Sequence, residues 1–274
     1  MSTEFSLAHL TILDEPPPAA IEVASRAGYR YAGLRLLPAA PGGIAYPLME
    51  DAALLRETLA RMRATGVGVF DLEIVRLGPA TDPRAFLPFF EAGAQLSARA
   101  VLVAGDDPDA ARLADRFAAL CDLGAPFGLS MDLEFMPWTA VPDLAAARRI
   151  VAAAARPNGG ILVDALHFDR SAGRPADLAT LPRAWLHYVQ LCDAPAERPA
   201  DAAAMIHTAR AERLFPGEGG IDLDAILRPL PRDLPVSLEI PTATLARTVD
   251  ATARALRARR AAEAVLARRD AAPA

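Results

Sequence analysis

The stretch that decides the fold runs from Gly128 to Asp164. It begins Gly128-Leu129-Ser130-Met131-Asp132-Leu133-Glu134, a short apolar run ending on a carboxylate. After Pro142-Asp143 the apolar positions Leu144, Ala147, Val151 and Ala154 recur three and four residues apart, the spacing of one helix face. Pro142 and Asp143 suit the first turn of that helix, by fixed φ and by negative charge at its positive end. Asn158-Gly159-Gly160 then breaks it, and Gly160-Ile161-Leu162-Val163-Asp164 is a second apolar run ending on a carboxylate. A strand, a helix and a strand in this order predict two parallel strands joined by a crossover.

The same unit repeats outward in both directions. Strands are expected near Phe5–Thr11, Tyr31–Leu36, Val67–Val75, Arg99–Ala104, Gly128–Glu134, Gly160–Asp164, Trp185–Leu191 and Pro235–Glu239. Leu55, Leu59 and Met62 mark the apolar face of a helix between the second and third. Eight such units close a barrel, whereas six would leave an open sheet. The expectation is therefore one α/β domain, a (β/α)8 TIM barrel spanning residues 1–274. The connection Ala194–Gly220 is long for such a barrel and is expected to add a short helix and a loop over the site. Pro38–Pro47 is a second candidate cover, and the tail after Arg269 is expected to fray.

Composition removes several chemistries. All 29 basic residues are arginine, with no lysine anywhere in the 274 residues. Schiff-base aldolases, pyridoxal-phosphate enzymes and Walker-type phosphate sites all need a lysine. A net charge of −5 disfavours a nucleic-acid partner. No apolar run reaches the length of a membrane span, and Met1 to Leu13 lacks the basic start of a secretory signal. Cys121 and Cys192 alone make no disulfide scaffold, which suits a cytoplasmic protein. Nothing in the sequence fixes the oligomeric state, and a homo-oligomer is compatible with it.

Four successive strands end in residues that bind hard cations: Glu134, Asp164, Gln190 and Glu239. Barrel enzymes carry their chemistry at the C-terminal ends of strands, and consecutive strands bring those ends side by side. Three carboxylates brought together repel unless a cation or a proton intervenes. Oxygen ligands suit one divalent ion, Mg2+ or Mn2+ first, with Co2+ or Zn2+ as alternatives.

With these residues in place, the runs Glu134-Phe135-Met136-Pro137, Asp164-Ala165-Leu166-His167, Gln190-Leu191-Cys192-Asp193, Pro216-Gly217-Glu218-Gly219 and Leu238-Glu239-Ile240-Pro241 resemble the xylose-isomerase-like barrel superfamily. Its members include sugar phosphate isomerases and epimerases, and inosose and 3-dehydroshikimate dehydratases. The resemblance implies that Glu134, Asp164, Gln190 and Glu239 are the metal ligands. Many members have histidine where this chain has Gln190, and some dehydratase-type members have glutamine. The resemblance further implies a small polyhydroxylated carbonyl substrate and a role in carbohydrate metabolism. Glu134 and Glu239 would be catalytic bases, His167 would contact substrate oxygens or move protons, and Arg213 would lie near the substrate. The implied reaction is isomerisation or epimerisation through an enediolate, with metal-dependent dehydration as the alternative. A nuclease on the related DNA-repair barrel needs more histidines than His9, His167, His187 and His207 supply.

Several further residues belong to the expected pocket. Arg35 and Glu218 join Arg213 as substrate-binding candidates, Arg35 because a guanidinium at a strand end can grip a carboxylate or phosphate in bidentate fashion. Glu73 lies within the third strand and could line the cavity. Trp138 and Phe168 are candidate pocket walls, and His9 could face the cavity from the first strand. His187 and His207 read as structural. Cys192 reads as a small buried residue, since no activating base is evident near it.

Overall fold

The protein was analysed as a computed structural model that describes residues 3–271. Eight strands are β1 (Phe5–Leu7), β2 (Tyr31–Arg35), β3 (Gly68–Leu77), β4 (Ala100–Gly105), β5 (Ser130–Glu134), β6 (Gly159–Asp164), β7 (Val189–Leu191) and β8 (Val236–Leu238). They pair in chain order, each parallel to the next, and β8 returns to β1 with Ser6 opposite Ser237. The barrel is closed, as the strand count requires.

The helices are α1 (Pro17–Arg26), α2 (Ala52–Thr65), α3 (Leu87–Gln95), α4 (Ala110–Gly124), α5 (Leu144–Ala154), α6 (Ala165–Arg170), α7 (Pro175–Leu178), α8 (Ala202–Ala211), α9 (Leu223–Leu227), α10 (Ala243–Ala246) and α11 (Ala251–Ala271). Aspartates start many of them. Asp51, Asp109, Asp143, Asp201 and Asp222 each accept a hydrogen bond from a backbone N–H of the first turn of α2, α4, α5, α8 and α9. Such a cap satisfies donors that the helix itself leaves free. Asp143 is thus the cap of α5, one position before the helix proper.

β1 and β7 are the strands that fall furthest short of expectation, each three residues long where seven were expected. β1 stops at Leu7, because Ala8 N and Thr11 Oγ1 both donate to Leu238 O and the chain turns into a 3-10 segment, His9–Ile12. β7 begins only at Val189, since Arg183–Trp185 forms another 3-10 turn. α11 continues through Arg269 to Ala271, so the expected fraying is not seen there; residues 272–274 lie outside the described residues. The long connection after β7 does contain a helix, α8.

The main apolar core fills the layer between strands and helices, with Leu34, Val103, Phe117, Leu133 and Val163 among its fully buried members. A smaller apolar cluster lies inside the barrel and includes Tyr31, Phe70, Leu102, Leu162 and Tyr188. No described helix is long and apolar enough to cross a membrane.

Candidate active site

Of the four expected strand-end side chains, Glu134 and Glu239 line one cavity, while Asp164 and Gln190 are buried and do not line it. Glu134 closes β5 and Asp164 closes β6; Gln190 is the middle residue of β7, and Glu239 follows β8 directly. All four are buried. Register explains part of the convergence: Asp164 lies opposite Gln190, and Gln190 opposite Ser237. Glu134, His167, Arg213 and Glu239 line this cavity.

Asp164 does two jobs. One carboxylate oxygen caps α6 by accepting the His167 N–H at 2.9 Å. The other receives Arg213 Nη1 at 2.6 Å. Arg213 Nη2 reaches Glu239 at 2.7 Å, so one guanidinium ties two of the strand-end carboxylates. The cap also fixes where His167 starts, and its Nε2 lies 3.7 Å from Glu134 Oε1. Ligand atoms of Glu134, Asp164 and His167 all lie within 4.8 Å of one another.

Burial and mutual charge set the protonation of the group. Burial, then repulsion from Glu239 and Asp164, raises the Glu134 carboxyl well above its ordinary range. Glu239 is pushed up to about 7 by burial, against the pull of Arg213. For Asp164 burial acts upward, but Arg213, His167 and the cap outweigh it, and its carboxyl ends below the usual value. Burial lowers His167 to about 4, so near neutral pH its ring is uncharged. A neutral imidazole accepts a proton or donates a weak hydrogen bond more readily than it delivers a proton. Of the parts expected of His167, that favours contact with substrate oxygens or acceptance of a proton.

The donor set fits a divalent cation. Glu134 Oε1 and both amide atoms of Gln190 are buried without a hydrogen-bond partner, an expensive arrangement unless something polar meets them. Among the described residues, those brought within ligating reach of one another are two carboxylates and an imidazole, Glu134, Asp164 and His167, whereas Glu239 lies on Arg213.

The remaining candidates divide. Arg35 lines the cavity, but its Nε holds Glu73 at 2.8 Å, and Glu73 itself is buried behind it and does not line the cavity. Trp138 lines the cavity and meets His167 edge-on, ring centroids 5.1 Å apart. Phe168 instead packs in the outer core. His9 is also spent elsewhere: Nδ1 accepts the Arg35 N–H at 2.7 Å and Nε2 contacts Glu15 O at 3.0 Å. Glu218 is turned outward, its carboxylate on Arg257 of α11 at 2.8 Å. The reason is local. Asp193 accepts the N–H groups of Gly217, Gly219 and Ile221, which pins the loop and leaves Glu218 on its outer side. Cys192 is buried and its thiol is pushed up to about 12 by burial, as expected of an inert residue.

Sequence reasoning missed four polar residues. Arg76 and Arg210 also line the cavity. Arg76 belongs to the same strand as Glu73, and the length of β3 was the available signal; Arg210 is hidden in an alanine-rich helix. Within the barrel Asp71 is fully buried with neither oxygen partnered, and the Tyr188 hydroxyl is equally alone. Asp71 lies over Gly33, where a Cβ would come within 3.0 Å of its carboxylate oxygens.

Known proteins place this architecture. A stretch of 134 residues is 33% identical to the 3-dehydroshikimate dehydratase of Pseudomonas aeruginosa, covering 47% of this chain but only 20% of that protein. Among solved structures, the IOLI protein with a binding zinc atom superposes with a TM-score of 0.81 at 18% identity, over 98% of this chain and 100% of that one. The probable 3-DHS dehydratase AsbF of Bacillus anthracis, involved in petrobactin synthesis, gives 0.70 at 16% identity over 92% and 97%. At such identities the structural likeness is one of fold. Residues 21–265 match the model of the xylose isomerase-like TIM barrel, and with the closed barrel this chain belongs to that family.

Proposed function

We propose that this site enolises a polyhydroxylated ketone and expels a β-hydroxyl as water, a carbon–oxygen lyase reaction of the 3-dehydroshikimate dehydratase kind. The observation that carries the enolisation is Glu239, a buried carboxyl that lines the same cavity as Glu134 and His167. A carboxylate held within reach of a bound ketone can take its α-proton. The identity shared with the Pseudomonas dehydratase favours elimination as the outcome.

Glu134, Asp164, Gln190 and Glu239 would hold a divalent ion, which when bound supplies a Lewis acid for the substrate carbonyl. Glu239 takes the α-proton as the C–H pair moves into the carbonyl. The C–O bond at the β-carbon then breaks, and the departing oxygen takes a proton from a carboxyl of the site. Arg213 keeps Asp164 and Glu239 in register. His167, neutral and packed against Trp138, presents its unpartnered Nδ1 as a contact for a substrate hydroxyl. A second reading, isomerisation or epimerisation, rests on Glu134 and Glu239 reaching the cavity from different strands, β5 and β8. Each could then serve one face of the substrate.

The test offers 3-dehydroshikimate, a cyclic inosose and a ketose to the Mn2+- or Mg2+-loaded protein in deuterated water. Elimination yields a product lighter by one water; isomerisation yields the same mass with hydrogen moved. Glu239→Gln should lower deuterium exchange at the α-carbon by about 10²–10⁴-fold, the usual contribution of a general base. Absence of exchange with every ketone in the loaded wild type would sink enolisation itself.

A further inference from the structure

Four arginines line the cavity: Arg35, Arg76, Arg210 and Arg213. Three have their charges answered by protein carboxylates. Arg213 holds Asp164 and Glu239, Arg35 holds Glu73, and Arg76 Nε meets Asp106 at 2.7 Å. Arg210, near the C-terminal end of α8, makes no ion pair and no side-chain hydrogen bond among the described residues. The residue is exposed at the cavity, where it is crowded by like charge: partial burial, then Arg76 and Arg35, lower its pKa, and only the Asp106 carboxylate, already paired with Arg76, acts the other way. A guanidinium that faces a pocket, beside two others and without a counter-ion of its own, is arranged for an anion that arrives from solution. The floor is the opposite in kind, with Glu134, Glu239 and neutral His167.

We propose that the substrate carries an oxyanion, and that Arg210, backed by Arg76, binds it at the mouth while the reacting carbonyl sits over the floor carboxylates. This rests on the reading that the cavity enolises a ketone, and it narrows that reading to anionic ketones. Arg210 is here a binding and specificity-determining residue. The carboxylate of a cyclic hydroxy acid and the phosphate of a ketose phosphate share the needed chemistry.

The experiment compares wild type, Arg210→Gln and Arg210→Lys in the metal-loaded protein. Three probes are used, each by calorimetric titration and by steady-state kinetics: 3-dehydroshikimate, fructose 6-phosphate and a neutral inosose. Arg210→Gln should weaken binding and raise KM for the preferred anion about 10–100-fold, the worth of a charge-assisted hydrogen bond, with kcat within about twofold. Arg210→Lys should recover part of the loss, and the neutral probe should not respond. Which anion responds separates carboxylate from phosphate. Arg210-dependent binding of an anion without turnover would leave this inference standing and remove the proposed reaction. Turnover indifferent to Arg210, equal loss for neutral and anionic probes, or no binding of either anion would overturn the inference.

Discussion

Two buried carboxylates share the Arg213 guanidinium, so its removal leaves both uncompensated. Breaking a buried pair from one side commonly costs about 3–5 kcal/mol. Arg213→Met should therefore melt well below the wild type in the presence of a chelator. Added Mn2+ should then raise its melting temperature by more than it raises that of the wild type, because the ion answers the same charges. Equal melting of the two proteins in chelator would show that the guanidinium is not what holds these acids together. At this scale the sequence was most informative where residue type and strand position coincide, as at Glu134, Asp164 and Glu239. It was silent on Arg210, whose role depends on which arginines find partners, and it misplaced Glu218, because the hydrogen bonds from Asp193 decide which way that loop faces. Asp164 shows why a capping reading and a functional reading need not compete: one oxygen caps α6 while the other meets Arg213.

Neighbouring strands constrain each other through the small residues between them. Asp132 of β5 is buried, accepts Ser130 Oγ at 2.7 Å and pairs with His187 Nδ1 at 2.6 Å. The pair crosses over Gly160 of β6, where a Cβ would stand 2.6 Å from both Asp132 Oδ1 and His187 Nδ1. Burial works to lower the His187 pKa, but the Asp132 carboxylate outweighs it and the net shift is upward. Gly160→Ala should wedge the pair apart and cost about 1–3 kcal/mol, the usual penalty for overpacking. The His187 pKa, followed by NMR, should fall at the same time. An unchanged His187 titration would mean that the strands absorb the methyl group without parting the pair. Sequence alone marked Gly160 as the start of a strand and His187 as structural. The close approach that requires the glycine appears only once β5, β6 and the segment before β7 stand side by side. The overlong expectations for β1 and β7 have a related cause, since apolar runs continue past the point where Leu238 O and the 3-10 turns redirect the chain.

The barrel as a whole was legible because its repeat is regular: apolar runs ending on polar residues, separated by helices that open on aspartates. Its closure through β1 and β8 is reinforced from outside by α11. Arg254 donates to Thr11 O at 2.7 Å, and the Tyr29 hydroxyl to Ala255 O at 2.9 Å. What the repeat does not disclose is the polar content of the interior, because a strand buried on both faces shows no alternation to read. Asp71 is the clearest case. Burial first, then the charges of Glu73, Glu239 and Asp132, raise its pKa well above the ordinary carboxylate value. The folded barrel holds this proton to a higher pH than the unfolded chain does, so between the two pKa values folding takes up a proton. For an acid whose pKa is raised on folding, the benefit is full below the unfolded value of about 4 and fades as pH climbs through the folded value. Within that window the stability of the wild type should fall by up to about 1.4 kcal/mol per pH unit relative to Asp71→Asn. The heat of unfolding should also depend on the ionisation enthalpy of the buffer, as the released proton is taken up by it. Identical pH profiles for the two proteins would mean that Asp71 is ionised within the fold; the predicted divergence would make the barrel's least accessible carboxyl a measurable site of proton uptake.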